Sequence, residues 1–214
     1  MTDTVGVHGF QYDPKDRNGA DRNLWPLWAE ICRPVGGFLG FGWYSYPVGP
    51  KAVWRAWKGG HWNRYYAAWA DTDLAASRLG EFIRDLGRPV NLMAHSLGAR
   101  VVLSALHHEP ALPVRNVVLI SGADSVDHAL EVGPGLAFRC RVTNIVVPED
   151  DVLDNLGEWF TPKLGQEAVI GRTMLGKKIG PHWTDVKMPK RKADDHWDAY
   201  RDPLNWNVLR AALS

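Results

Sequence analysis

The chain of 214 residues has few cysteines, little net charge and no long apolar run. Two cysteines, Cys32 and Cys140, do not make a disulfide framework, so two separate buried thiols are expected. A formal net charge of +1 exerts no pull toward nucleic acid or an acidic membrane surface. The one basic run, Lys187, Lys190, Arg191 and Lys192, is followed at once by Asp194 and Asp195, which is the pattern of a solvated loop. No segment has the unbroken apolar length of a membrane span, and the amino terminus lacks the basic, apolar and small-residue succession of an export signal. A cytoplasmic location is therefore expected. Repeats and low-complexity linkers are missing too, and with 45% hydrophobic and 23% charged residues the whole chain, 1–214, is expected to form a single compact domain.

What the chain does contain is an alternation of strand-like and helix-like segments, which implies an α/β architecture, a mostly parallel sheet of about six strands with helices on both faces. Strands are expected at Thr4–His8, at Leu39–Tyr46 before Pro47 and Gly49, ahead of Ser96, at Asn116–Ser121, at Val142–Val147 and at Thr184–Met188. A helix is expected over Tyr65–Leu86, with Ala75, Leu79, Phe82, Ile83 and Leu86 on one face and Gly87 and Pro89 as stop signals. A second is expected over Leu153–Gly165.

The segment Asn91–Leu106, NLMAHSLGARVVLSAL, reads as a short apolar strand, a sharp turn carrying Ser96, and a helix opening directly behind it. Small residues two before and two after the serine, here Ala94 and Gly98, let strand and helix approach closely while the turn lifts the hydroxyl clear of the sheet. Three further features flank it. The first strand runs into His8-Gly9-Phe10, a turn able to present a backbone N–H; later strands end near Asp124 and in Pro148-Glu149-Asp150-Asp151; and His196 lies near the carboxyl end. The order is oxyanion loop, Ser, acid, His.

In that order, and in VHGF at 7–10, AHSLGA at 94–99, PEDDVL at 148–153 and DHWDAY at 195–200, the chain resembles the α/β-hydrolase superfamily, in particular its small, nearly cap-free bacterial members. The likeness runs from the first strand to about Trp206. Ala94 stands where the family usually has glycine, and the family's preliminary strands are missing. The resemblance implies a minimal α/β-hydrolase fold and a serine carboxylic-ester hydrolase that works through an acyl-enzyme, without metal or organic cofactor. Its partner would be a small-molecule ester of short to medium chain. The same triad supports thioester hydrolysis or acyl transfer, and a non-catalytic interaction module on the same fold is the alternative from outside enzymology.

The chemistry explains the residue types. A serine hydroxyl attacks only when an imidazole takes its proton, and a carboxylate must hold that imidazole in the right tautomer and stabilise its cation. Ser96 is the expected nucleophile and His196 the expected base, since it follows the last strand, whereas His182 precedes it. Asp150, which opens an Asp-x-Val-Leu run, is the preferred acid, with Asp124 and Asp151 as alternatives and a helix cap as the expected role of whichever is not used. The N–H groups of Leu97 and Phe10 are the expected oxyanion donors. His95 should turn away from Ser96 by strand alternation and serve as a structural neighbour. His61, His107, His108 and His128 lack convincing spacing to a carboxylate or thiolate partner, so no metal site is expected. Trp54, Trp57 and Trp62 are the candidate substrate wall, with Trp25, Trp28 and Trp159 as further contributors.

Overall fold

The computed structural model describes residues 2–10, 24–43, 45, 65, 67–148, 150–154, 169–188 and 196–214. Among these, six strands form one sheet: β1 (Asp3–Val7), β2 (Phe38–Phe41), β3 (Val90–His95), β4 (Val114–Ile120), β5 (Arg141–Val146) and β6 (Trp183–Lys187). Their order is β2-β1-β3-β4-β5-β6, and every pair is parallel. Parallel strands need crossovers that cover both faces, and such strands become apolar throughout. All six residues of β3 are buried.

Alternation along the strands divides the core into two layers. Leu92 and Ala94 of β3, with Val117 and Leu119 of β4, point into one layer. Packed there are α2 (Thr72–Leu86), through Ala75, Leu79 and Ile83, and α3 (Gly98–His108), through Val101, Val102 and Leu106. Met93, Val118, Ile120 and Ile145 point the other way, against α1 (Leu24–Cys32) and the carboxy-terminal helix Trp206–Leu213. Trp28 is fully buried in that second layer against Phe38 and Tyr200, so it is core rather than wall of a site.

Two boundaries depart from expectation for identifiable reasons. β2 stops at Phe41, where its partner β1 stops at Val7, because Trp43 turns both its backbone N–H and its indole N–H to His8 instead of continuing the ladder. The expected helix over Tyr65–Leu86 is interrupted at Asp71, where the Thr72 hydroxyl donates to the Trp69 carbonyl at 2.7 Å. Its stop is as expected: Gly87 adopts φ 61° and caps α2 through Arg84 O. Of the segment 153–165 only 153 and 154 are described, in a helical turn over 151–154.

Cys32 and Cys140 are free and buried, and burial pushes each thiol up to about 11. Neither is a ready nucleophile at neutral pH, because the reactive species is the thiolate. The chain leaves β1 for β2 on one side and returns to β3 on the other. This reversal of strand order puts a topological switch point at the carboxyl ends of β1 and β3, the usual ligand position in an open α/β sheet.

Candidate active site

Ser96 stands at that switch point, directly after β3 and before α3, at φ 53°. A non-glycine residue pays for the left-handed region, so the turn persists only because its surroundings over-determine it. Its N–H donates to Ile120 O at 3.0 Å, and its carbonyl accepts from Ala123 N at 2.9 Å and Ala99 N at 3.0 Å. Gly98 lets α3 pass under the first loop: a Cβ there would stand 2.4 Å from Val7 O and 2.6 Å from His8 O. Gly9 brings the same loop against the serine, for a Cβ on it would lie 2.7 Å from Ser96 Cβ. Leu97, at the helix N-terminus, has an N–H outside the intrahelical ladder and at the positive end of the helix dipole.

The His8 side chain fixes the loop. Its Nε2 accepts the Trp43 N–H at 3.0 Å, so Nδ1 carries the proton and donates to Gly9 O at 2.8 Å. The ring stacks on Trp43 at 5.5 Å and meets the edge of Trp25 at 5.9 Å. Trp25 thus supports the loop from behind.

His196 and Asp150 meet beside this turn, both buried, with Nδ1 of the histidine 2.6 Å from Oδ2 of the aspartate. A carboxylate accepts, so Nδ1 holds a proton, and in the neutral ring Nε2 keeps its lone pair. Nε2 is buried and has no hydrogen-bond partner among the described residues. The other oxygen of Asp150 caps the 151–154 turn, accepting the Leu153 N–H at 3.0 Å. One carboxylate thus anchors its own backbone and orients a ring. Asp151, next along, is exposed. The segment Ile170–Arg172 braces the neighbouring strand ends, with Gly171 O accepting from Val147 N and Gly171 N donating to Gly122 O. Arg172 completes the brace by pairing with Asp154 at 2.6 Å.

Asp124 has other partners. Its Oδ1 accepts from Arg100 at 3.0 Å and from the Ser125 N–H at 2.8 Å, and its Oδ2 lies 2.6 Å from His128 Nδ1. His128, set aside in the sequence as a metal ligand, does have a carboxylate beside it: the i, i+4 spacing on either side of a helix start brings the two together. The expected cap role for Asp124 is corrected. Ser125, not Asp124, caps the helix Val126–Val132, through His128 N. Arg100 also lies over the Trp69 ring at 4.3 Å, and Tyr65 links Trp69 to Phe10 at 6.3 and 5.1 Å. An aromatic chain so connects the first loop to the Asp124 cluster. His182 donates to Gly133 O at the far, amino-terminal edge of the sheet. Trp54, Trp57, Trp62, His61 and Trp159 lie outside the described residues. Among the described residues no group of three or more His, Cys, Asp or Glu could hold a metal ion, and no helix is long and apolar enough to cross a membrane.

The role of His95 escaped sequence reasoning. Its ring does turn from Ser96, but toward His196, at a centroid distance of 4.5 Å, and its Nε2 is 3.0 Å from the His196 carbonyl oxygen. Burial above all, with the neighbouring His196, Arg201 and His8 adding to it and the bond to the His196 carbonyl opposing it, holds its pKa well below the ordinary 6.5. Folded His95 therefore refuses a proton that the unfolded chain accepts. Stability should be lost as pH falls through 6.5 toward the folded value, with a slope from this group of up to about 1.4 kcal/mol per pH unit. Urea unfolding at pH 7.5 and 5 checks this: His95→Gln should lose less stability on acidification than the parent, and equal losses would contradict it.

A parallel sheet of this order, with a strand–turn–helix at Ser96, defines the α/β-hydrolase fold. No family model matches the chain, and no curated protein matches it in sequence. Solved structures do. A dienelactone hydrolase from Anabaena variabilis is 16% identical, with 99% of this chain and 82% of that one covered, at a TM-score of 0.57. A carboxylesterase structure from the ammonia-oxidizing thaumarchaeon Nitrososphaera gargenis is 12% identical, covering 98% and 89%, at 0.60. A lipase from Bacillus licheniformis is 16% identical, covering 100% and 92%, at 0.55. At such identities the likeness is one of fold.

Proposed function

We propose that the protein is a serine hydrolase acting on carboxylic esters, with Ser96 as nucleophile, His196 as base and Asp150 as the carboxylate that orients it. The observation that carries this reading is the buried Asp150–His196 pair, whose Nε2 has no partner among the described residues, beside a serine held at positive φ. Nε2 is the nitrogen with the free lone pair, and so the one able to take the Ser96 proton as the hydroxyl attacks. The serine–carbonyl bond forms, the carbonyl electrons move to oxygen, and collapse expels the alcohol, protonated by the same imidazole. Water repeats the sequence on the acyl-enzyme. The Leu97 and Phe10 N–H groups receive the oxyanion; one such donor is worth roughly 3 to 4 kcal/mol in the transition state. The half-buried Phe10 and Trp69, which pack on the buried Tyr65, supply apolar surface for the acyl group, with Trp54, Trp57 and Trp62 as further contributors. Carboxylesterases and other hydrolases among the proteins of similar fold agree with an ester substrate.

Dissolved p-nitrophenyl esters of rising acyl length, run beside matching acyl thioesters, test the substrate class. Oxygen esters of short to medium length should be preferred. Each methylene gained while the wall lasts should raise kcat/KM by up to about fourfold, the equivalent of roughly 0.8 kcal/mol of buried surface. A larger kcat/KM on thioesters would reassign the substrate. Absence of turnover together with absence of labelling by a fluorophosphonate would favour a non-catalytic module.

A further inference from the structure

The residue before the nucleophile has an unusual burden for a buried side chain. His95 is 4% exposed, and its Nε2 lies 3.0 Å from the backbone oxygen of His196, 101 residues later in the chain. A carbonyl only accepts, so Nε2 carries a proton and donates, and in the neutral ring Nδ1 keeps the lone pair. The edge of Tyr200 closes one side at 5.0 Å, and the His196 ring packs against it at 4.5 Å. Trp197 meets the His196 ring at 5.3 Å. A leucine would fill such a space without desolvating a polar ring. The histidine spends its one N–H on the base's backbone.

We infer that His95 is a positioning residue for the reaction proposed above, tying the main chain of His196 to the end of the strand that delivers Ser96. The inference rests on the reading of those two residues as base and nucleophile. Asp150 holds the His196 ring at Nδ1, which sets the tautomer, but one bond is a pivot and does not by itself fix the residue. The structural support on the carboxyl side of His196 is a short helix, Asp198–Arg201. A second fixed point on the His196 carbonyl removes the pivot. Because that point sits on the residue adjacent to Ser96, any shift of β3 carries nucleophile and base together. The ring must also be neutral for this task, since a second cation 4.5 Å from His196 would oppose the imidazolium formed during attack.

Three substitutions test it on the whole chain. His95→Met removes the donor at similar volume, His95→Gln offers an amide N–H of similar reach, and His95→Asn offers one a methylene short. The readouts are kcat per fluorophosphonate-titrated site, KM, thermal unfolding and the downfield proton NMR signal of His196 Nδ1–H. A misplacement near 1 Å costs about 100-fold, so His95→Met should lower kcat about 10- to 100-fold, with KM within about threefold. It should also broaden or remove the Nδ1–H signal. His95→Gln should recover most of kcat and the signal, and His95→Asn should not. If His95→Met fails to unfold cooperatively, the Gln and Asn pair carries the comparison. Unchanged kcat per titrated site in His95→Met, or equal losses in Gln and Asn, would overturn the inference. Should the parent neither hydrolyse esters nor label, the Ser96 reading falls, and the Nδ1–H signal alone decides: its loss in Met and return in Gln supports the tie, and its persistence in Met refutes it.

Discussion

Ser96→Ala is expected to lower ester turnover by on the order of 10⁶, the scale seen when the nucleophile of a triad is removed, while the protein still unfolds in one cooperative transition. The two halves of this result have separate causes. The hydroxyl is the only atom that can form the acyl bond, so binding and oxyanion donors are all that remain for catalysis. Stability is set by the backbone bonds of the turn, from Ser96 N to Ile120 O and from Ala99 N and Ala123 N to Ser96 O, none of which uses the side chain. Alanine tolerates φ 53° about as poorly as serine does, so the strain is shared by both proteins. Hydrolysis of p-nitrophenyl acetate and urea unfolding, measured on the same preparation, check both. Retention of a tenth of the parent rate would remove Ser96 from the mechanism.

Asp150→Asn should lower kcat by about 10⁴ with little change in KM, because an amide can accept or donate and so permits the wrong histidine tautomer, and cannot stabilise the imidazolium. Asp124→Asn is the informative contrast. It too alters a buried carboxylate 2.6 Å from a histidine, but that histidine is His128, and the second partner is Arg100. Removing the Asp124 charge leaves Arg100 without its counter-ion and weakens the acceptor beside His128, so the loss should appear as a lower melting temperature. Its kcat per titrated site should remain within about tenfold of the parent, and far above that of Asp150→Asn. Kinetics on titrated enzyme separate the two. A crippled Asp124→Asn with a mildly affected Asp150→Asn would move the acid to the earlier strand.

How far the residues announced this arrangement depends on whether the cause was local. The elbow was legible because its demand falls on residues next to the serine: only glycine at 98 allows α3 to clear the carbonyls of Val7 and His8. The likeness of PEDDVL and DHWDAY to family segments pointed to Asp150 and His196, which do lie side by side, with Asp150 buried and Asp151 exposed. Alternation along β3 correctly sent the His95 ring away from Ser96, into the layer shared with Met93. What it could not give was the neighbour waiting there, since that depends on the return of a chain segment 101 residues later. The Arg100–Asp124–His128 cluster was hidden similarly: the spacing was visible, but the meeting of α3 with the turn after β4 was not. Strand β2 was over-extended because the apolar and aromatic run through Trp43 looks like a strand, while in the fold Trp43 serves His8.

The central claim is that Ser96 is a nucleophile activated by the Asp150–His196 pair. Mass spectrometry of peptides after treatment with a fluorophosphonate tests it most directly, with the parent, Ser96→Ala and Asp150→Asn compared at equal times. The account predicts one adduct, on the peptide containing Ser96, absent from Ser96→Ala and formed far more slowly in Asp150→Asn. An adduct on any other residue of the parent, or labelling of Ser96 at the same rate in Asp150→Asn, would contradict it.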